Sequence, residues 1–458
     1  MDPSLLTSLS TKSHIDLSTD LLKSHTKKLE SLISTRQIPN EPWSETTINL
    51  FLSYLSSLDC NNGTSSVSIG EREGRIYSHL VSQRNYHLSH GIGRSGDITA
   101  SQPKAAGSTV ISHLTSALIK DLLRTLKIPV KEAVMLPLAT GMGLMMILNS
   151  LRLQVSHKST VIWIRCDQKS APKAIVSAGF KLVAVELTQH NDELFLDLDH
   201  LDDVITNYQE DLLAVVSTTS CFAPRAVDDA LGVGRLCRRA GVYHVSNFAY
   251  GFNSESSIKS IKRALNEGCL DLFVFSTDKN FLVPVGGCVV AGNKELVDGV
   301  SHCYPGRASI SPLLDVMLTF LSMGKQGYLR LLAERSRLFD VLKCSLASLA
   351  SELGERVLDC PNNNIAIAMT LNTFSTDEVS KLGSMLYKRG VSGARTVGDC
   401  ADVSIGDVVL KQFGHHFDHF PHSYLHCASS VGITDQDVDG FISKLRKCIK
   451  DLVKKRRS

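Results

Sequence analysis

The chain has 458 residues, 43% of them hydrophobic and 21% charged, which is ordinary for a soluble globular protein and leaves room for a large α/β core with smaller appendages. A net charge of +3 calls for no polyanionic partner by itself, although basic residues crowd at the C-terminal end. Twelve cysteines with no CxxC pair and no repeated spacing argue against a zinc ribbon or a disulfide framework, and fit reduced thiols in the cytosol. The most apolar stretch, 133–148, is broken by Pro137, Gly141 and Gly143, so no membrane span is expected. The first residues lack a basic region followed by a long apolar core, and a cytoplasmic location is the expectation.

Residues 14–60 read as helices. Ile15, Leu17, Leu21, Leu22, Leu29, Leu32 and Ile33 form one apolar stripe, and Leu50, Leu52, Leu55 and Leu58 form another. Residues 1–60 are therefore taken as a helical oligomerisation extension. Residues 74–90 read as a further helix. From about residue 133, short β-rich runs begin at Val134, Thr160, Lys181, Leu212, Val242 and Leu272, with helical segments such as 171–179 and 226–240 between them. That spacing suits right-handed βαβ crossovers and a mostly parallel sheet, so 61–310 is read as a large α/β domain. Ligands gather at the carboxyl ends of such strands, where Thr140, Gly141, Asp167, Gln168, Asn247 and Lys279 fall. After about residue 311 come a long helix (313–353), a strand-like run from Ile365, a helix (375–389) and a final amphipathic helix (435–453). These make a smaller α+β domain, 311–458, with a basic tail.

Lys279 stands alone between apolar runs, in Ser276-Thr-Asp-Lys-Asn-Phe-Leu-Val-Pro-Val-Gly-Gly287. A desolvated lysine loses proton affinity and becomes an amine able to form a Schiff base, the arrangement expected for pyridoxal 5'-phosphate (PLP); a loop lysine on the surface is the plain alternative. Thr140-Gly141, after a strand and before a helix, suits the cofactor phosphate. Asn247 stands at a strand end, where a turn residue is the plain reading. Residues 91–96, Gly-Ile-Gly-Arg-Ser-Gly, match the spacing of a dinucleotide fingerprint, but no strand precedes them and Pro103 follows, so NAD is rejected. The longer run 90–108 reads as an anion-binding loop, with glycine N–H groups, Arg94, Ser95 and Gln102 as donors.

These segments, with Gly70-Glu-Arg-Glu-Gly-Arg75, Ala139-Thr-Gly-Met, Asp167-Gln-Lys-Ser, Ser217-Thr-Thr-Ser-Cys-Phe-Ala-Pro-Arg225, Tyr304-Pro-Gly-Arg307 and Val391-Ser-Gly-Ala-Arg395, resemble the O-phosphoseryl-tRNA(Sec):selenocysteinyl-tRNA synthase family from about residue 40 onward. The resemblance implies a fold-type-I PLP transferase and a homotetramer built as a dimer of dimers. It makes Lys279 the Schiff-base lysine and Arg72 a cofactor contact beside Thr140, Gly141, Gln168 and Asn247. It makes Arg94, Ser95, Gln102 and Arg307 the holders of the phosphoseryl phosphate, and Glu71 a filter against free amino acids. Arg395 and Lys454 match positions that contact tRNA.

The implied reaction is conversion of phosphoseryl-tRNA(Sec) to selenocysteinyl-tRNA(Sec), with selenophosphate as donor. A PLP-dependent β-eliminase or desulfurase acting on a free amino acid, and a non-catalytic tRNA-binding relative, are the alternatives. The sequence departs from the family near Asn266, where the family carries an arginine implicated in tRNA contact; Arg263 is the nearest substitute. It also departs in the cluster His415, His416, His419 and His422, whose interleaved Phe417, Phe420 and Pro421 suggest a packed loop. No metal is expected.

Overall fold

The β-rich runs become strands of one largely buried sheet in the computed structural model of the chain, which describes residues 6, 8–63, 67, 69–71 and 73–456. In chain order the elements are α1 (Lys12–Thr35), α2 (Glu45–Ser57), α3 (His79–Arg84), α4 (Ala106–Thr125), β1 (Glu132–Leu136), α5 (Thr140–Gln154), β2 (Thr160–Ile164), α6 (Ser170–Ser177) and β3 (Lys181–Val185). A hairpin β4 (Thr188–His190) and β5 (Glu193–Phe195) precedes α7 (Leu198–Tyr208), β6 (Leu212–Thr218), α8 (Ala230–Ala240), β7 (Tyr243–Asn247), α9 (Glu255–Asn266), β8 (Leu272–Ser276), α10 (Thr277–Phe281), β9 (Cys288–Gly292) and α11 (Lys294–His302). The chain continues with α12 (Ser311–Glu352), β10 (Ala366–Thr370), α13 (Thr376–Lys388), β11 (Arg395–Val397), the hairpin β12 (Val403–Ile405) and β13 (Val408–Leu410), β14 (Tyr424–Ala428) and α14 (Asp435–Arg456).

The chain divides into one unit of Met1–Leu122 with Gly306–Tyr328 and a second of Leu123–Pro305 with Leu329–Ser458. These bounds differ from cuts at 60 and 310: the 90–108 loop shares a unit with the N-terminal helices.

In the first unit, Ser44 caps α2 by accepting from the Thr47 N–H, and α2 buries Phe51, Leu52 and Leu55. Gly107 lies where α2 and α4 touch, since a Cβ there would come 1.8 Å from the Leu55 carbonyl oxygen. Buried Asp59 accepts from Ser108 N–H (3.1 Å) and Oγ–H (2.7 Å) and so caps α4. α1 buries only Leu32, and the stripe residues Leu17, Leu21 and Leu22 are exposed. The helix expected over 74–90 is confined to α3: Leu80 is exposed, so no core rewards a longer one.

The second unit carries a seven-stranded sheet in the order β1-β9-β8-β7-β6-β2-β3. Neighbours from β3 through β8 pair in parallel, and β9 runs antiparallel to both β8 and β1. The sheet is mostly parallel, as expected, and β2, β6, β8 and β9 are buried throughout, which is why they read as unbroken apolar runs. A smaller antiparallel sheet, β10-β14-β11, packs its Ile367, Met369 and Leu425 into a core with Leu342 and Leu346 of α12, Leu382 and Leu386 of α13, and Leu445 and Ile449 of α14. Among the described residues no helix is long and apolar enough to cross a membrane.

Candidate active site

Strand β8 delivers Lys279. The chain leaves β8 directly into the short helix α10, and four bonds fix that helix. Thr277 donates through N–H and Oγ–H to the Gly287 carbonyl (3.0 and 2.9 Å), and buried Asn280 donates through Nδ2 to the carbonyls of Ala249 and Ser276 (2.9 and 2.7 Å). With Thr277, Asn280 and Phe281 turned inward, Lys279 points the other way. Its side chain is 48% exposed, with the Asp278 carboxylate 3.9 Å from Nζ. The expectation of a desolvated lysine is thus corrected. Apolar neighbours in sequence are not neighbours of the ammonium, because α10 turns the intervening side chain out of the sheet's core.

Lys279 faces a cavity of about 190 Å³ whose walls include Thr140, Gly141, Gln168, Asn247 and Ser276. Thr140 and Gly141 open α5, whose cap residue Ala139 offers no side-chain acceptor, so the first N–H groups of the helix look into the cavity. Thr140 Oγ1 is buried with no hydrogen-bond partner among the described residues. An uncapped helix N-terminus and an orphaned hydroxyl make a receptor for a phosphate group. Across the cavity, Asn247 ends β7 with 6% exposure, and its Oδ1 accepts from the Ala249 N–H (3.2 Å). That leaves its Nδ2 donors for a ring nitrogen. Gln168 donates to the Tyr250 hydroxyl (3.0 Å), and Tyr250 stacks on Phe222 with centroids 5.2 Å apart. Burial raises the Tyr250 phenol, which stays protonated. Tyr250 was not singled out from sequence; its place three residues beyond Asn247 was the available signal. An amine, a phosphate receptor and a ring-nitrogen donor around one cavity fit PLP.

Next to Gln168 in the chain, Asp167 belongs to an ion cluster centred on a buried arginine. Arg165, fully buried, bonds Asp167 (3.0 Å), Glu186 (2.8 Å) and Asp418 (2.6 Å). Asp167 also accepts from the Gly414 and His416 N–H groups (both 2.8 Å). Burial works to raise its carboxyl, while His416, the Arg165 guanidinium and the Gly414 amide hold it below the usual range. Three of the four clustered histidines are spent in such bonds. His416 Nδ1 accepts from the Asp167 N–H (2.8 Å), His415 Nε2 donates to the Gly398 carbonyl (2.5 Å), and His422 Nδ1 contacts the Asn372 amide (3.0 Å). Among the described residues no group of three or more His, Cys, Asp or Glu is arranged to hold a metal.

The anion-binding candidates gather in the first unit. Ile92 and Ala308 exchange two backbone bonds (3.0 and 3.1 Å), and Arg307 donates through Nη2 to the His90 carbonyl, so Arg307 and the loop form one local structure. Gly91 and Gly93 have φ of 66° and 70°; a Cβ would meet the Ala308 carbonyl oxygen at 2.3 Å and Ile98 at 2.7 Å, which only glycine avoids. Arg94 and Ser95 sit exposed at the tip. Gln102 Oε1 accepts from the Lys104 N–H (3.3 Å) and Lys104 pairs with Glu73 (2.8 Å). Glu71 is exposed; Arg72 lies outside the described residues.

The family model of O-phosphoseryl-tRNA(Sec) selenium transferase, SepSecS, matches residues 58–450. The chain belongs to this family. It is 39% identical to the O-phosphoseryl-tRNA(Sec) selenium transferase of Dictyostelium discoideum over 95% of this chain and 96% of that one. It is 34% identical to that of Methanopyrus kandleri over 93% and 95%. The crystal structure of an archaeal SepSecS superposes with a TM-score of 0.89 at 29% identity, covering 96% of this chain and 98% of that one. A structure of Oryza sativa TDC with PLP and tryptamine superposes at 0.58 with 13% identity over 96% and 98%, a likeness of fold alone. The chain is a fold-type-I transferase that uses PLP.

In this SepSecS chain a larger cleft of about 1350 Å³ continues from Lys279 and Gln168 past Phe222 and His426 to Arg395 and Lys444. Arg395 is exposed at the start of β11, and Lys454 is exposed on α14. Arg263 and Asn266 are exposed at the end of α9. The basic tail is less free than its sequence suggests: Arg446 pairs with Glu352 and Arg456 with Glu378, because α14 lays its basic face along acidic neighbours. The cysteines in the described residues are all free thiols, with Cys60 and Cys344 exposed.

Proposed function

We propose that the chain converts O-phosphoseryl-tRNA(Sec) to selenocysteinyl-tRNA(Sec), taking selenium from selenophosphate. The observation that carries this reading is Lys279 at the end of β8, facing a cavity whose other wall is the uncapped N-terminus of α5 with the orphaned Thr140 hydroxyl. Bound PLP supplies the electron sink that lets the Cα proton leave and the phosphate depart from Cβ.

Lys279 Nζ would hold the cofactor, and the same amine would be the base that takes the Cα proton. Thr140 Oγ1 and the α5 N–H groups would hold the cofactor phosphate, Asn247 would contact the ring nitrogen, and Gln168 lines the same cavity; the family resemblance adds Arg72 as a cofactor contact. Arg94, Ser95, Gln102 and Arg307 hold the phosphate that leaves, a better leaving group than hydroxide and one that two guanidinium groups stabilise as it departs. Glu71 repels the charged α-carboxylate of a free amino acid, which an aminoacyl ester lacks. Arg395 and Lys454 meet the tRNA backbone. The exposed apolar stripe of α1 supports assembly through the N-terminal helices into a homotetramer, a dimer of dimers. The enzyme works in the cytoplasm.

The test is to incubate the protein with phosphoseryl-tRNA(Sec), PLP and selenophosphate and analyse the amino acid released from the tRNA. Selenocysteine is expected, with a rate loss of at least ~10³-fold in Lys279→Ala. Recovery of unchanged phosphoserine from folded, PLP-loaded protein would overturn the reading.

A further inference from the structure

Lys279 is placed chiefly by its backbone, since the half-exposed side chain has the Asp278 carboxylate 3.9 Å from Nζ as its ion-pair neighbour among the described residues. α10 is a helix of five residues that ends at Leu282 in the left-handed region (φ 58°), and the last carbonyls of a helix have no partners within it. Asn253 supplies one. Its side chain, in a residue 2% exposed, donates through Nδ2 to the Lys279 carbonyl (3.3 Å) and to the Tyr250 carbonyl (2.9 Å). On its other side Oδ1 accepts from the Val431 N–H at 2.7 Å.

Val431 belongs to a loop, 429–432, that walls the large cleft. That loop is itself anchored to α12, where Arg335 donates through Nε to the Ser429 carbonyl (2.8 Å) and Ser429 Oγ donates to the Arg335 carbonyl (3.0 Å). Gly432 closes against α10, since a Cβ there would meet Leu282 Cδ2 at 3.0 Å. One amide therefore bridges the segment after β7, the helix that carries Lys279 and the wall of the cleft.

We infer that Asn253 is a positioning residue that ties the backbone of Lys279 to the 429–432 loop, so that the placement of the amine depends on the wall along which the tRNA end enters. The inference rests on the reading of Lys279 as the cofactor lysine. A buried amide with both its donors and its acceptor engaged has one orientation, and losing a donor to a buried carbonyl leaves that carbonyl unsatisfied. The loss falls on the lysine arm in one variant and on both arms in another. Asn253→Asp keeps the shape and the acceptor toward Val431 but turns an oxygen toward the Lys279 carbonyl. Asn253→Ala removes both arms.

The experiment uses the full-length, PLP-loaded enzyme. Both variants are expected to release cofactor about tenfold faster on dilution and to lose kcat by a similar factor. Both should also shift the absorption band of the lysine-bound cofactor. KM for phosphoseryl-tRNA(Sec) should rise in Asn253→Ala alone, where the cleft wall is loosened as well. Parental release rate and an unshifted band in folded variants would overturn the inference. If Asn253→Asp does not fold, the band and release rate of Asn253→Ala decide. If the parent protein shows no lysine-bound cofactor band, the reading of Lys279 has failed and the inference falls with it.

Discussion

Arg307 donates through Nη2 to the carbonyl oxygen of His90, and the adjoining Ile92 and Ala308 complete a two-bond bridge. Arg307, more than two hundred residues away in sequence, is thus built into the candidate anion-binding loop. Arg94, by contrast, stands at the loop's exposed tip. Arg94→Ala and Arg307→Ala are each expected to slow phosphoseryl-tRNA(Sec) turnover by ~10- to 100-fold, the loss of a charge-assisted hydrogen bond, while PLP absorbance stays intact. Only Arg307→Ala should also expose 90–98 to limited proteolysis. Loss of bound PLP in either variant would contradict the assignment.

Thr140 Oγ1 has no hydrogen-bond partner among the described residues, so its removal separates cofactor binding from folding. Thr140→Val keeps the branched shape, and PLP affinity should weaken by about tenfold. The melting temperature of the cofactor-free variant should equal or exceed that of the parent, because a buried unsatisfied hydroxyl has been removed. A lower melting temperature would point to a structural role.

Burial depresses His244 and His416 to about 4 and His426 to about 3. The fold therefore keeps these rings neutral where the unfolded chain, with histidines near 6.5, protonates them. Their neutral burial costs nothing above about pH 6.5, and stability is lost as the pH falls from there toward the folded values. His416→Gln retains an acceptor for the Asp167 N–H. Denaturant titrations from pH 7.5 to 5 should show it taking up about one proton fewer on unfolding than the parent. An unchanged slope would mean that His416 is already charged in the fold.

Arg395 is exposed beside the large cleft, whereas Arg446 is held by Glu352. Arg395→Ala should weaken tRNA(Sec) binding and reduce the slope of log K against log salt by about one. Arg446→Ala should leave that slope unchanged. Equal effects from both would assign the contact to net charge rather than to the cleft.

The parallel strands were legible because burial on both faces writes itself as continuous apolar runs: Thr160–Ile164 and Leu212–Thr218 stand where the sequence indicates. The candidates at their carboxyl ends, Thr140, Gln168, Asn247 and Lys279, meet around one cavity because a parallel sheet aligns those ends. The stretch 74–90 misleads, since its apolar residues at helical spacing include Leu80, which finds nothing to pack on. The histidines at 415, 416 and 422 were legible as a cluster but not as separate bonds to distant partners.

The sequence by itself determined the alternation of strands and helices, the lysine after β8, and the glycines and Arg94 of the candidate anion loop, because these depend on local periodicity and on residue chemistry. Tertiary structure alone decided that β9 runs against its neighbours, that Arg307 joins the loop at His90, that Lys279 is half exposed and that Asn253 bonds its carbonyl. Those outcomes come from pairings between segments far apart in the chain. Hydrogen-bond geometry and exclusion of water select such pairings only after the sheet has formed, and no local pattern encodes them.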